Sequence, residues 1–102
     1  MKVHYKKTAL EDIQATEAYI SQELRNPAAA KKLTKNIVQA VSLLPDNPYM
    51  GTQLSSKYDV DTDLRYLIVS KHLIFYRTIE SADRIEVTRV IGGRQDYMAI
   101  LF

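Results

Sequence analysis

Cysteine is absent from the 102 residues of this chain. Without it, the chain can form neither a disulfide scaffold nor a thiolate-ligated metal site. Long apolar runs are also missing, and the opening residues MKVHYKKTALED lack the apolar stretch of a signal peptide. We therefore expect a cytoplasmic protein that does not contact a membrane.

A large excess of either charge sign is missing too, because the net charge is only +2. That value is too small to indicate nucleic-acid binding. Residues 65–94 nevertheless contain six basic side chains against three acidic ones (Arg65, Lys71, Arg77, Arg84, Arg89 and Arg94 against Glu80, Asp83 and Glu86). If this region folds as a sheet, one surface is locally positive. The alternative is that Arg65, Arg77 and Arg89 pair with Glu80 or Glu86 on strand faces.

Glycine and proline are scarce, with three of each. Apolar residues make up 46% of the chain and charged residues 25%, which is the balance of a globular protein. The sequence contains no internal repeat and no linker. We therefore expect one domain spanning residues 1–102.

The first half of the chain has the pattern of a short strand followed by two helices. Apolar and polar residues alternate up to Tyr5, and Thr8-Ala9-Leu10-Glu11 then has the spacing of a capping box. The first helix is predicted to run to about Leu24. Its core-facing stripe is predicted to be Leu10, Ile13, Ile20 and Leu24.

Asn26-Pro27 predicts the start of a second helix, because asparagine caps a helix well and proline suits its first position. The helix is predicted to end before Pro45, and residues 45–51 to form a loop. Its buried face would comprise Ala30, Leu33, Ile37, Val41 and Leu44. The two helices are expected to form an antiparallel hairpin.

Residues 64–69, 73–79 and 85–91 are rich in β-branched and aromatic residues and are separated by short polar turns. They predict a three-stranded antiparallel meander. The order strand, helix hairpin, meander gives an α+β fold with the helices packed on one sheet face. The other sheet face is expected to remain open for function.

The chain closes with RVIGGRQDYMAILF. Paired glycines at positions 92 and 93 can adopt positive φ and let another part of the backbone approach closely. The apolar tail is predicted to return to the core, leaving Arg94, Gln95 and Asp96 on the rim. An ion pair between Arg94 and Asp96 is an equally plausible alternative. Arg89 breaks the alternation of its strand, which predicts either a β-bulge or a residue that faces a partner.

Four segments in this order resemble the RelE/ParE superfamily of bacterial toxins from type II toxin–antitoxin modules: ALEDIQATEAYI, RNPAAAKKLTKNIVQAVSLLPDNPYMG, LRYLIVSKHLIFYRTI and IEVTRVIGGRQDYMAIL. The resemblance implies the RelE/ParE-like fold and a toxin linked to growth inhibition and plasmid stabilisation. It also implies no cofactor or metal, and a cognate antitoxin through which alone the toxin would meet DNA.

RelE-like members are mRNA interferases that cleave ribosome-bound mRNA without a metal. The reaction needs a base, an acid and cations around the phosphate. RelE-like toxins carry an arginine in the middle strand where this chain has Leu73, and Ile100 falls roughly where they carry a tyrosine. Only Arg94 carries over from that pattern. If the chain were a nuclease, its candidate catalytic residues would be Arg94, Arg65 and His72. The alternative for His72 is a solvated or hydrogen-bonded histidine at the start of a strand.

The ending RVIGGRQDY resembles ParE-like members, which are associated with inhibition of DNA gyrase and lack the nuclease residues. We therefore predict a ParE-like toxin. Its target-binding residues would be Arg89, Arg94, Gln95, Asp96 and Tyr97. The remaining alternatives are a RelE-like nuclease and an inactive relative that only binds its antitoxin.

Overall fold

The computed structural model describes residues 1–102 and confirms the predicted α+β class. Five strands form one mixed sheet in the order β1-β5-β4-β3-β2. The elements are β1 (Lys2–Tyr5), α1 (Lys7–Ala18), α2 (Pro27–Val41), β2 (Thr52–Gln53), β3 (Arg65–Val69), β4 (His72–Ile79), β5 (Arg84–Gly92) and α3 (Tyr97–Leu101). The short strand β2 and the terminal helix α3 were not predicted. None of the helices is long and apolar enough to cross a membrane.

The predicted antiparallel meander is confirmed, with strand limits within one residue of those expected. The turn between β3 and β4 consists of Ser70 and Lys71, both at positive φ, which suits the twist of a two-residue hairpin. The first strand joins the sheet by parallel pairing with β5, so that Val3 lies opposite Ile85. The N-terminal strand therefore forms one edge of the sheet, next to the last strand of the chain.

Helix α1 begins one residue before the predicted cap. Lys6 occupies the N-cap position without a capping side chain, and the Thr8 hydroxyl donates to the carbonyl of Thr88 at 2.7 Å. The capping-box prediction is therefore wrong, because β1 runs directly into the helix and Thr8 bonds to the sheet instead. The helix continues as a π-helical turn (Tyr19–Glu23) up to its C-cap at Leu24, which confirms the predicted end.

Helix α2 starts as the sequence predicts. Asn26 Oδ1 accepts a hydrogen bond from the amide of Ala29 at 3.1 Å, and Pro27 occupies the first turn. The predicted inner face is confirmed for Ala30, Leu33, Ile37 and Val41, which are all buried. Leu44 is buried too, but it lies in the turn after the helix, because α2 ends at Val41.

The main core lies between the helix hairpin and the sheet, where Ile37 and Val41 pack with Ile74, Tyr76 and Val87. Two residues of the predicted α1 stripe are not part of it. Leu10 is 46% exposed and Leu24 is 57% exposed. That part of the prediction is wrong, because α1 faces the sheet through fully buried Ala9 and through partly buried Ile13 and Ile20.

The sheet face opposite the helix hairpin is only partly open, which corrects the expectation of a free face. A second apolar cluster covers the part formed by β3, β4 and the end of β5; its buried members are Leu54, Leu64, Tyr66, Leu73, Phe75 and Ile91. Helix α3 packs on this cluster through Tyr97, Met98 and Leu101. The rest of this face, around the paired positions His4, Glu86 and Arg77, is polar. We call it the polar half of the opposite face.

A glycine and a tyrosine fix the loop that follows α2. The Gly51 amide donates to the Tyr76 hydroxyl at 2.8 Å. A Cβ atom at position 51 would lie 2.6 Å from that hydroxyl oxygen, which is too close for any other residue. Burial raises the pKa of Tyr76, so the hydroxyl remains the neutral partner of this amide.

The packing of α2 gives a direct test of the core. Ile37 is 1% exposed and its neighbour Val38 is 49% exposed. Ile37→Ala should lower the free energy of unfolding by about 2 to 5 kcal/mol, because it leaves a cavity between helix and sheet. The matched variant Val38→Ala should change it by less than about 0.5 kcal/mol. Urea unfolding of both proteins measures the difference, and similar values would show that the inner face of α2 is wrongly assigned.

Candidate functional site

Strand β5 contains a β-bulge at the position where its sequence breaks alternation. Phe75 lies opposite Arg89 and Tyr76 lies opposite Val87, so Thr88 is an extra residue. The bulge lets both Val87 and Val90 face the main core. Of the two alternatives for Arg89, the bulge is therefore confirmed.

The Arg89 side chain turns towards helix α1. Its Nε and Nη2 donate to the two carboxylate oxygens of Asp12 at 2.7 and 2.9 Å, which is a bidentate pair. Asp12 Oδ2 also accepts from the amide of Val90 at 2.9 Å. The hydrogen bond to Asp12 is the main reason why the pKa of Arg89 is raised. The side chain thus has an intramolecular partner, and a role of Arg89 in target binding stays a prediction.

Helix α1 completes the edge of β5 beyond the point where β1 ends. The Lys6 amide donates to the Val87 carbonyl at 2.9 Å, which is the last backbone hydrogen bond between this segment and β5. Thr8 then donates to the Thr88 carbonyl and Asp12 accepts from the Val90 amide. Side chains of a helix therefore satisfy backbone groups that a neighbouring strand would otherwise pair.

The residues after β5 form a tight turn, residues 93–96, which we call the C-terminal turn. Gln95 closes it twice, because its amide donates to the Gly92 carbonyl at 3.0 Å and its Oε1 accepts from the Gly92 amide at 3.1 Å. Gly93 donates to the Lys71 carbonyl at 2.8 Å, and a Cβ atom there would lie 3.0 Å from that oxygen. Neither glycine has positive φ. The expected close approach is thus confirmed at Gly93, whereas the expectation of positive φ is wrong.

Arg94 is the exposed and unpaired charge of this turn. The alternative in which it pairs with Asp96 is wrong, because Asp96 Oδ1 instead caps α3 by accepting from the Ala99 amide at 3.3 Å. Gln95 lines a cavity of about 400 Å³ beside the turn, together with His72 and Tyr19. The structure therefore places two predicted residues, Gln95 and His72, on one surface next to Arg94.

Tyr97 anchors α3 to the opposite face. Its hydroxyl lies 2.5 Å from that of Tyr58, and its ring centroid lies 5.7 Å from that of Phe75. The hydrogen bond with Tyr58, assisted by burial, raises the pKa of Tyr97 to about 12. The tail returns to the core only in part, because Ile100 is 41% exposed and Phe102 is 64% exposed.

The three candidate catalytic residues do not converge on one site. Arg65 donates from Nη1 to the carbonyls of Tyr49 and Gly51 at 3.0 and 2.8 Å and stacks on the Tyr49 ring. His72 Nδ1 lies 2.9 Å from the Ser70 carbonyl. Arg65 and His72 lie at opposite ends of the β3–β4 pair, about 13 Å apart along the strands.

The predicted ion pairs with Glu80 and Glu86 are wrong for all three strand arginines. Arg89 pairs with Asp12, and Arg77 Nε lies 3.2 Å from Asp63 Oδ1. Glu86 is buried and is approached instead by Arg84 Nη2 at 3.3 Å and Lys6 Nζ at 3.7 Å. Glu80 accepts a hydrogen bond from Tyr49, which raises the pKa of that phenol.

Sequence reasoning missed one residue that shapes this region, Asp12, and it did not predict the pairing of Tyr58 with Tyr97. The only signal for Asp12 was its spacing of four from Thr8, which places both on one helix face. Tyr58 lies in a loop with no periodic pattern. No group of three or more histidine, aspartate or glutamate side chains is arranged to hold a metal ion.

Residues 3–97 match a family model described as the ParE toxin of the type II toxin–antitoxin system parDE. Comparison with curated protein sequences finds no match. Among solved structures, the chain is similar to one of the chromosomal ParDE toxin–antitoxin system from P. aeruginosa, with a TM-score of 0.73 and 20% identity over 90% of this chain and 95% of the other.

Two E. coli structures share the fold at lower similarity. The intact RelBE toxin–antitoxin complex gives a TM-score of 0.55 with 12% identity, covering 92% of this chain and 98% of the other. The isolated RelE toxin gives a TM-score of 0.56 with 12% identity, covering 98% of this chain and 93% of the other.

The contact between α1 and β5 can be tested by removing the carboxylate of Asp12. Asp12→Ala leaves Arg89 and the Val90 amide without their acceptor, so the free energy of unfolding should fall by about 1 to 3 kcal/mol. The exposed neighbour Glu11 makes no hydrogen bond, and Glu11→Ala should change stability by less than about 0.5 kcal/mol. Equal stability of the two variants in chemical denaturation would contradict this role of Asp12.

The tyrosine pair predicts a pH dependence. Because the folded state favours the neutral Tyr97 phenol, the pair's contribution to stability is full below pH 10.0 and is lost as pH rises through about 12. Carbon-13 NMR of the tyrosine rings should show Tyr97 titrating near that upper value. Tyr58→Phe should move its midpoint towards 10.0, whereas Tyr19→Phe on the exposed helix should not. An unchanged midpoint in Tyr58→Phe would rule out the pair as the cause.

Proposed function

Because the chain belongs to the ParE toxin family of type II toxin–antitoxin systems, we propose that it inhibits DNA gyrase by occupying a surface of that enzyme, without catalysis of its own. The observation that carries the proposal is the match to the ParE family over residues 3–97. The arrangement of charged side chains supports it independently.

The placement of the charged residues supports binding over RNA cleavage. Attack of a ribose 2′-OH on a phosphate requires a base, an acid and cations within reach of the same atoms. Here Arg65 bonds to loop carbonyls, and His72 lies at the far end of the same strand pair. Leu73, at the position where RelE-like toxins carry an arginine, is only 7% exposed and belongs to the second apolar cluster.

Arg94 is the residue on which we centre the target surface. It has no intramolecular partner, and its turn is held by the Gln95–Gly92 bonds and by the bond from Gly93 to the Lys71 carbonyl. The backbone of a rigid turn loses little conformational freedom when its side chain binds a partner. Arginine is also enriched among the residues that dominate protein interfaces. Gln95, Asp96, Tyr97 and Arg89 would contribute by shaping this surface.

We propose that a cognate antitoxin neutralises the toxin in the cytoplasm. The similar structures from P. aeruginosa and E. coli include a ParDE toxin–antitoxin system and a RelBE complex. Within residues 65–94, Lys71 and Arg94 are exposed and have no acidic partner, which favours an acidic amphipathic segment that folds on binding. Contact with DNA would be made through the antitoxin.

The test is Arg94→Ala, with Arg25→Ala as the matched control because Arg25 is also exposed and unpaired. Arg94→Ala should weaken inhibition of gyrase supercoiling by at least about 10-fold, since an anchoring arginine is lost. Its stability should stay within about 0.5 kcal/mol of the parent. Toxicity in growing cells should fall in parallel, and co-expression of the neighbouring gene product should restore growth with the parent toxin.

Three results would count against the proposal. Full inhibition of gyrase by Arg94→Ala would show that the C-terminal turn is not part of the target surface. Cleavage of mRNA on translating ribosomes, with no effect on supercoiling, would favour the RelE-like alternative. Absence of both activities and of toxicity, with retained binding of the neighbouring gene product, would identify an inactive relative.

A further inference from the structure

A small cavity opens beside the bulge of β5, next to the polar half of the opposite face. Its volume is about 220 Å³. Three cationic side chains line it, Lys6, Arg77 and Arg89, and no carboxylate does. Thr8, Thr88, Leu64, Ile100 and Leu101 complete the wall. Lys6 directly follows β1, Arg77 lies in β4 and Arg89 lies next to the bulge of β5. The sheet brings these three positions together.

Each of these cations has a carboxylate neighbour outside the cavity wall. Asp12 binds Arg89 at 2.7 Å, Asp63 lies 3.2 Å from Arg77, and Glu86 lies 3.7 Å from Lys6. The bidentate pair holds Arg89 in place, which reduces the ordering that a ligand must impose there. The other two contacts are long or lack hydrogen-bond geometry, so Arg77 and Lys6 can still donate to an anion in the cavity.

Arg77 has unused donor capacity. Its Nε is buried and has no hydrogen-bond partner, since the contact with Asp63 lacks hydrogen-bond geometry. A buried donor without an acceptor is unfavourable. Arg89 uses only Nε and Nη2 on Asp12, which leaves Nη1 outside that pair. A guanidinium with free donors is well suited to an oxyanion.

We propose that this cavity binds a phosphate group. Its volume lies below the roughly 300 to 1,000 Å³ of sites that enclose a drug-sized ligand, so one phosphate fits and the remainder of a larger molecule stays outside. The Thr8 and Thr88 hydroxyls donate inward to the carbonyls of Thr88 and Phe75, so the ligand's partners are Lys6, Arg77 and Arg89. The phosphate comes either from a free nucleotide or from a nucleic-acid backbone.

The proposal does not rest on gyrase inhibition, because the cavity excludes Arg94 and its turn. It can therefore be tested on the isolated full-length chain. The probe is inorganic phosphate, added at low ionic strength and followed by amide chemical shifts in ¹H–¹⁵N NMR. The expected result is a saturable shift confined to residues near Lys6, Arg77 and the bulge, weakened by sodium chloride because exposed charges are screened.

Charge-removing variants locate the site. Arg77→Gln and Lys6→Gln should each raise the dissociation constant for phosphate by at least about 10-fold, because each removes a charged donor. Arg25→Gln makes the same change at an exposed position outside the cavity and should leave it unchanged. Thermal unfolding shows whether each variant remains folded. Lys6 is 49% exposed, so Lys6→Gln should fold normally and tests phosphate binding even if Arg77→Gln is unstable.

Two further probes distinguish a free nucleotide from a nucleic-acid backbone as the source of the phosphate. They are adenosine monophosphate and a short single-stranded DNA without terminal phosphates. Tighter binding of either probe than of inorganic phosphate, lost in Lys6→Gln, supports the proposal and identifies the source. Unphosphorylated adenosine should not bind. The proposal is overturned if phosphate gives no saturable shifts, if Arg25→Gln weakens binding as much as Lys6→Gln, or if adenosine binds as well as its monophosphate.

Discussion

The carboxylate of Asp12 is the contact on which the arrangement of this protein depends. It joins helix α1 to β5 at the point where β1 has ended and β5 would otherwise expose an unpaired edge. The same carboxylate holds Arg89 in a bidentate pair beside the bulge. One side chain thus fixes α1 against the last strand and sets the direction of the Arg89 side chain. The C-terminal turn that follows is held by its own bonds to Gly92 and Lys71.

The distribution of carboxylates decides which basic residues remain available to a partner. Arg89, Arg77 and Arg84 each have an acidic neighbour, and Arg65 bonds to loop carbonyls. Arg94 has none, which is why the proposed target surface is centred on it. Basic composition alone is a poor guide to such a surface, because most of the positive charge in residues 65–94 is already engaged within the chain.

Local signals predicted the parts of the fold that depend on neighbours in sequence. Asn26-Pro27 and the spacing of Ile37 and Val41 were sufficient for α2, and β-branched runs were sufficient for the meander. Contacts between distant residues could not be predicted in this way. Thr8 has the spacing of a cap but bonds to Thr88, and Arg89 finds its carboxylate on a helix at the other end of the chain. The cover over the opposite face was missed because residues 54–64 lack a periodic pattern. The family resemblance supplied the fold and the toxin class, whereas the role of each rim residue depends on these long-range contacts.

The parallel pairing of β1 with β5 has a consequence for how the toxin is made. The first strand to leave the ribosome has its partner in the last one, with Lys2 opposite Arg84. The sheet therefore stays open on that side throughout translation, and residues 93–97 follow only after the closing strand. A nascent chain therefore cannot close this edge of the sheet before β5 has been synthesised. The C-terminal turn can take its place on a complete sheet only after that point.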